Sequence, residues 1–390
     1  MKRGDDQIET GDWDDGWGDN WIAPPLAARK GRGAVSNLAG RYEVQTTEAV
    51  DDGWWHDEDD TGQPVQTFVT REYAKSILSR NTSPDLPFSV SLNPYRGCEH
   101  GCIYCFARPT HAYLGLSPGL DFETRLYAKV NAAELLRREL ASPSYTPSCI
   151  ALGVNTDAYQ PCERQFQLTR QVLEVLQECE HPVGLITKSA LIERDIDILA
   201  AMAQKQQAVA AVTITTLDHT IARTLEPRAA SPTRRLQTIR RLAEAGIPVS
   251  VSVAPIIPFI TEPELEHILT AARDAGATGA GYTVLRLPWE VNPLFQQWLE
   301  VHFPERAERV MNCIRAMRGG KDYDADFASR MHGEGLWADL FRQRFRKTVT
   351  RLGFNRNNRF HTLDDSRFCK PKVIPPKPKK HGDQQLDFFG

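Results

Sequence analysis

The sequence predicts an α/β protein built on a parallel sheet. Two observations carry this: short apolar runs alternate with amphipathic segments of helical period, and the alternation repeats six times in succession. The first run, 88–92 (FSVSL), reads as a strand and 131–140 as the helix after it. Residues 150–154 (IALGV) are the second strand, followed by a helix over 166–178. The third pair is 183–187 (VGLIT) and 194–204. The fourth is 209–215 and 233–245, and Gly246 suits the position just past a helix end. Strand 249–256 precedes a helix over 263–275, and 281–287 is the sixth strand. Such a repeat forms either an open doubly wound sheet or a partial barrel. In both, chemistry belongs at the C-terminal ends of the strands.

The flanks differ from this core in composition. Residues 1–60 carry a net charge of −9 and five of the eight tryptophans, at Trp13, Trp17, Trp21, Trp54 and Trp55, with little aliphatic content. They are expected to form a disordered acidic arm. Residues 61–87 lead into the core at 88–293, and 294–355 reads as a helical extension. From 356 to 390 a basic Pro/Lys tail is expected to be extended. Residues 342–380 hold 13 Lys and Arg against two acids, a balance that suits phosphates or simply a solvated face.

The chain is 41% hydrophobic and 25% charged, ordinary values for a globular protein. No run of 18 apolar residues suggests a membrane span, and MKRGDDQIETGDWDD lacks the apolar region of a secretory signal. Eight unevenly spaced cysteines are too sparse for a disulfide scaffold. A reducing cytoplasm is the expected compartment.

Directly after the first strand stands Asn93-Pro-Tyr-Arg-Gly-Cys98-Glu-His-Gly-Cys102-Ile-Tyr-Cys105-Phe. Three thiols at this spacing converge only if the loop wraps around something, and Gly97 and Gly101 supply the backbone freedom. An iron–sulfur cluster with three protein ligands and one open iron fits. A structural zinc needs a fourth ligand, His100 or His111. Three packed thiols are the remaining reading.

The C-x3-C-x2-C pattern, with Tyr104 before the third cysteine, resembles the radical S-adenosylmethionine (SAM) superfamily over roughly residues 90–350. Asn155-Thr-Asp-Ala-Tyr-Gln-Pro161, Thr187-Lys-Ser189, Arg194-Asp195, Thr215-Thr-Leu-Asp218, Leu225-Glu-Pro227 and Leu285-Arg-Leu-Pro288 are similar to the branch with spore photoproduct lyase and DNA repair photolyase-like proteins. The resemblance implies a partial (βα)6 TIM-type barrel. It implies that Cys98, Cys102 and Cys105 hold a 4Fe–4S cluster whose open iron chelates SAM for reductive cleavage to a 5′-deoxyadenosyl radical, with an electron donor of unknown identity. Tyr104, Asn155, Thr156, Asp157, Lys188, Ser189 and Thr215 are the candidate SAM-binding residues, Thr156 and Asp157 for the ammonium and Lys188 for the carboxylate. Glu163, Arg194, Asp195, Glu226 and Arg228 lie near strand ends as pocket or rim residues.

Spore photoproduct lyase returns hydrogen from a cysteine just before the segment matching Asn155-Thr-Asp157, where this chain has Val154. Cys162 is the replacement candidate, while Cys149 and Cys179 read as packing residues. A nucleic-acid substrate is expected from the branch and the basic stretch; a protein or small-molecule substrate is the alternative, and a non-catalytic zinc module a distant one. The terminal Gln385-Leu386-Asp387-Phe388-Phe389 resembles the peptide by which bacterial repair proteins engage the DNA sliding clamp, departing from it at Phe388. No membrane partner is expected.

Overall fold

The apolar runs become strands buried on both faces, as sheets covered by helices on their outer side and filled on their inner side require. Strands β1 (Phe68–Glu72), β2 (Leu78–Arg80), β3 (Val90–Leu92), β4 (Tyr95–Arg96), β5 (Arg125–Lys129), β6 (Ile150–Leu152), β7 (Val183–Thr187), β8 (Ala208–Thr213), β9 (Val249–Ile256) and β10 (Gly279–Val284) make two sheets in the computed structural model, which describes residues 26–42, 65–356 and 363–372. The larger sheet has the order β10-β9-β8-β7-β6-β3-β2. Its pairings are parallel except at the edge, where β2 runs antiparallel to β3.

The six expected strands therefore lie side by side in chain order, with no reversal. A doubly wound sheet reverses its order at a switch point, so the partial barrel is the architecture realised. Helices Ala132–Leu140, Leu168–Glu178, Ile196–Gln204, Pro232–Glu244 and Leu265–Asp274 return the chain between strands. Their starts and ends follow local chemistry. Ser231 accepts from Arg234 N ahead of Pro232, and Gly246 adopts φ +78° past the helix end. One core of Val, Leu, Ile and Ala unites both sides of this sheet.

The flanks carry more structure than their composition suggests. The acidic arm is not uniformly featureless: residues 26–42 are packed against the cysteine loop, with Arg32 and Ala34 buried. The five arm tryptophans lie outside the described residues. The tail past 356 likewise contains a packed piece, 363–372, where Cys369 N donates to Cys179 O at 2.9 Å and Phe368 sits 5.6 Å from Tyr145 and 5.3 Å from His181 between ring centroids. Gln385, Leu386, Phe388 and Phe389 lie outside the described residues.

The extension is also not continuously helical. Helices Val291–His302, Pro304–Ala316 and Gly335–Leu352 are interrupted at 317–334, where Gly319, Gly320 and Gly333 take positive φ. The boundary drawn between 293 and 294 falls inside the first of these helices. The sequence also concealed the three-stranded sheet β1-β5-β4, because β1 is mostly exposed and β4 is two residues long, so neither shows a periodic signal. Among the described residues no helix is long and apolar enough to cross a membrane.

Candidate functional site

The cysteine loop starts where β3 ends and lies at the C-terminal edge of the parallel sheet. Cys98 and Cys102 are buried, Cys105 is half-buried, and all three are free thiols. The loop's curvature depends on Gly97 at φ +71°, where a Cβ would come within 2.7 Å of Leu126 Cδ2 and 2.9 Å of Phe122 O. Cys98 N donates to Phe122 O at 2.9 Å and Ile103 N to Leu225 O at 3.2 Å, so elements far along the chain fix the backbone. Beneath it the fully buried Arg108 donates to Cys102 O at 2.9 Å and Gly101 O at 3.1 Å and pairs with Glu123. Glu123 in turn accepts from Gly33 N at 3.0 Å and Ala34 N at 2.9 Å, which anchors residues 26–42 against the loop.

Two buried carboxylates flank the thiols. On the Cys98 side Asp157 accepts from Tyr159 N at 2.9 Å, Thr187 Oγ1 at 2.7 Å and Lys188 N at 2.8 Å, and lies 3.3 Å from His100 Nδ1. Burial alone would raise its pKa, but His100 and these donors outweigh burial and hold it down at about 2. On the Cys102 side Glu226 accepts from Tyr104 OH and from Thr215 Oγ1 (2.7 Å), and pairs with the buried Arg235. Burial again opposes its charge, and Arg235 and Lys188 keep it ionised.

Lys188 stands at the end of β7 with its ammonium 5.8 Å from the Tyr104 ring centroid. Among the described residues it makes no hydrogen bond or ion pair through Nζ. Burial would lower its pKa, but Cys102, Glu226 and Asp157 raise it, so it stays charged. Burial pushes the Cys102 thiol up to about 12 and the Cys98 thiol well above its usual value.

Several candidate residues already hold protein partners. Asp157 accepts three hydrogen bonds that tie the ends of β6 and β7 together and faces His100 in the cysteine loop. Thr215 donates to Glu226. Thr156 donates through Oγ1 to Tyr95 O at 3.0 Å, and Ser189 caps the turn at Leu191 N at 3.1 Å. Tyr104 is buried and bound to Glu226. Asn155 and Lys188 keep side-chain polar groups without a protein hydrogen bond among the described residues.

Cys162, named as a hydrogen donor, packs instead in a small cluster with Tyr95, Leu126 and Leu168. Glu163, Arg194 and Asp195 form a rim network, with Arg194 Nη2 2.7 Å from Glu163 and 2.8 Å from Asp195. Arg228 pairs with Glu99 at 2.7 Å. Arg235, Arg108 and Glu123 were missed altogether, since each reads as an ordinary surface residue of an amphipathic segment.

The donor set can be tested against the metals it might hold. Among the described residues no three His, Cys, Asp or Glu side chains are placed to share a single ion. Neither His100 nor His111 is placed with the thiols as a Cys3His set among the described residues. Three thiols in one curved loop, with no fourth protein ligand, fit a 4Fe–4S cluster with an open iron.

The sequence model of the radical SAM superfamily matches residues 92–272. An uncharacterized protein of Mycobacterium tuberculosis is 38% identical over 244 residues, 62% of this chain and 72% of that one. The chain belongs to the radical SAM superfamily. Radical SAM enzymes use a 4Fe–4S cluster and SAM. The radical SAM Nα-GlyT isomerase of Pseudomonas phage M6 is 23% identical over 318 residues, 80% of this chain and 61% of that one. A spore photoproduct lyase variant matches with a TM-score of 0.52 at 14% identity, covering 81% of this chain and 87% of that one. Another, with bound AdoMet and dinucleoside spore photoproduct, matches at 0.50 and 14%, covering 73% and 80%. At such identity the likeness to this radical SAM chain is one of fold.

Proposed function

We propose that this radical SAM enzyme acts on nucleic acid, with Cys98, Cys102 and Cys105 holding the cluster and Lys188 receiving the carboxylate of SAM. The observation that carries the site is the Lys188 ammonium, without a hydrogen bond or ion pair among the described residues, beside three free thiols at the strand ends. When bound, the cluster and SAM supply a 5′-deoxyadenosyl radical. The protein's own residues do the placing. Asp157 and His100 brace one side of the cysteine loop, Glu226 and Tyr104 the other, and Asn155 offers an amide at the end of β6. The buried loop keeps water from the reacting carbon.

The nucleic-acid substrate is supported by the likeness to the spore photoproduct lyase with bound dinucleoside spore photoproduct. The basic stretch adds less than its count suggests. Arg344 is held by Glu262 and Glu266 and Arg342 by Asp339, leaving Arg346, Lys347 and Arg351 exposed on the last helix. Val154 stands directly before Asn155 and Cys162 packs with Tyr95, Leu126 and Leu168, so neither position favours a thiol hydrogen donor in this reading. The terminal Gln385-Leu386-Asp387-Phe388-Phe389 would bring the enzyme to DNA through the sliding clamp. A peptide of residues 381–390 should bind isolated clamp, and one with Leu386→Ala and Phe389→Ala should not.

The test is anaerobic reconstitution with dithionite and SAM, then incubation with single-stranded and duplex DNA and RNA. Release of 5′-deoxyadenosine together with a nucleoside of altered mass is expected. Turnover that stays uncoupled with every nucleic acid, while a protein or metabolite extract yields a modified product, overturns the substrate. Retention of iron after all three cysteines become alanine overturns the cluster site.

A further inference from the structure

We propose that Trp289, Arg41, Tyr42 and Tyr113 form a stacking platform for unpaired bases of the nucleic-acid substrate, an inference that rests on the nucleic-acid reading above. The four side chains make one unbroken row. The Arg41 guanidinium lies 4.2 Å from the Trp289 ring centroid and 5.5 Å from that of Tyr42. Tyr42 stacks on Tyr113 at 5.2 Å and 29°. All three rings are open to solvent, with Trp289 61%, Tyr42 54% and Tyr113 65% exposed. A row built for stability would bury these faces, because exposed aromatic area gives up the main stabilisation a ring can supply.

The backbone points the same way. Trp289 adopts φ +48°, a left-handed conformation unfavourable for any residue with a Cβ. Strain of this kind at an exposed tryptophan serves no packing purpose and concentrates at ligand-binding positions. Arg41 is held in place by Glu290 at 2.7 Å. Glu290 is itself buried, so the ion pair fixes the Arg41 guanidinium between the rings.

The row is continuous with the cysteine loop. Tyr113 belongs to the turn Arg108–Leu114 that follows the loop. Phe106, next to Cys105, is 46% exposed and lies 5.5 Å from the guanidinium of Arg286, three residues before Trp289. Arg286 has no ion pair among the described residues, and its Nε lacks a hydrogen-bond partner. Exposed aromatic rings linked through a guanidinium, with the half-buried Arg286 packed over Phe106 beside the cysteine loop, match the faces and phosphates of successive nucleotides in a single strand. A peptide or a small metabolite would not need a row of this length.

The experiment is fluorescence anisotropy with the full-length protein at low salt. The probe is a labelled DNA strand of about 12 nucleotides, within the usual reach of a single-strand site, offered intact and with its bases replaced by abasic sites. Trp289→Ala and Tyr113→Ala should each weaken binding of the intact strand about 5- to 150-fold, the range of one lost base stack. Tyr113→Phe, which keeps the ring, and Leu336→Ala, an exposed side chain on the last helix, should bind as wild type. The abasic strand should bind weakly to all of them alike. The platform is overturned if wild type binds but the alanine variants bind equally well, or if they weaken both strands to the same extent. No binding by wild type to either strand or to duplex would remove the nucleic-acid reading together with the platform.

Discussion

The two sides of the cysteine loop solve the same problem differently. Asp157 is held ionised by hydrogen bonds from Thr187 and two backbone N–H groups and by the neighbouring His100, all of which tie it to the frame. Glu226 is neutralised by a full charge on Arg235, with a second cation, Lys188, nearby but unpaired. The Asp157 side is closed by hydrogen bonds. The Glu226 side holds Arg235 in an ion pair, while Lys188, whose charge is favoured by Cys102, Glu226 and Asp157, makes no hydrogen bond or ion pair through Nζ among the described residues. On the proposed reading one side is a clamp and the other a receptor, although both begin as a buried acid beside a buried thiol.

The difference can be broken from either side. The largest effect is expected from Glu226→Gln, which leaves Arg235 buried without its ion-pair partner and removes one of the charges that favour Lys188. Removing one partner of a buried pair costs about 3–5 kcal/mol, read as a shift of the urea midpoint, and adding Lys188→Met should recover part of that loss. Lys188→Met alone should leave stability near wild type. It should weaken SAM binding by about 1.5–3 kcal/mol, the worth of a hydrogen bond to a charged group, measured by calorimetry on reconstituted protein.

Asp157→Asn should cost about 2 kcal/mol, because an amide turns an N–H toward the Lys188 N–H and leaves a buried donor unmet. It should lower iron uptake while leaving SAM affinity per loaded site unchanged. Should Asp157→Asn instead weaken SAM binding as much as Lys188→Met, the clamp and receptor roles are not separate. Thr215→Val removes one hydrogen bond to a charged acceptor that keeps Arg235, and about 1 kcal/mol is expected in the same urea titration.

What the sequence revealed of this arrangement follows from distance along the chain. Each strand and helix of the barrel is encoded by a local period, so 183–187 and 249–256 are found at the residues expected. The thiols are legible because their spacing is local too. The side chains around them are not, because their partners are remote. His100 meets Asp157 across 57 residues, Tyr104 meets Glu226 across 122, and Arg32 reaches Glu123 across 91. Arg235 sits in the first turn of its helix directly after Arg234, and nothing in its neighbours distinguishes a buried cation from a solvated one. The residues 26–42 were hidden by an acidic surrounding that outweighs their own apolar content.

Gly33 bears on where the working unit begins. A Cβ there would sit 1.9 Å from Gly101 O, so the two backbones touch with no room for a side chain. A fragment starting at residue 65 would keep every strand and all three cysteines, yet leave Glu123 without the N–H groups of Gly33 and Ala34 and the cysteine loop open along one edge. The shortest piece able to mature is thus longer than the span the superfamily shares. During synthesis its first packed segment must wait for about 90 residues to follow before its acceptor exists.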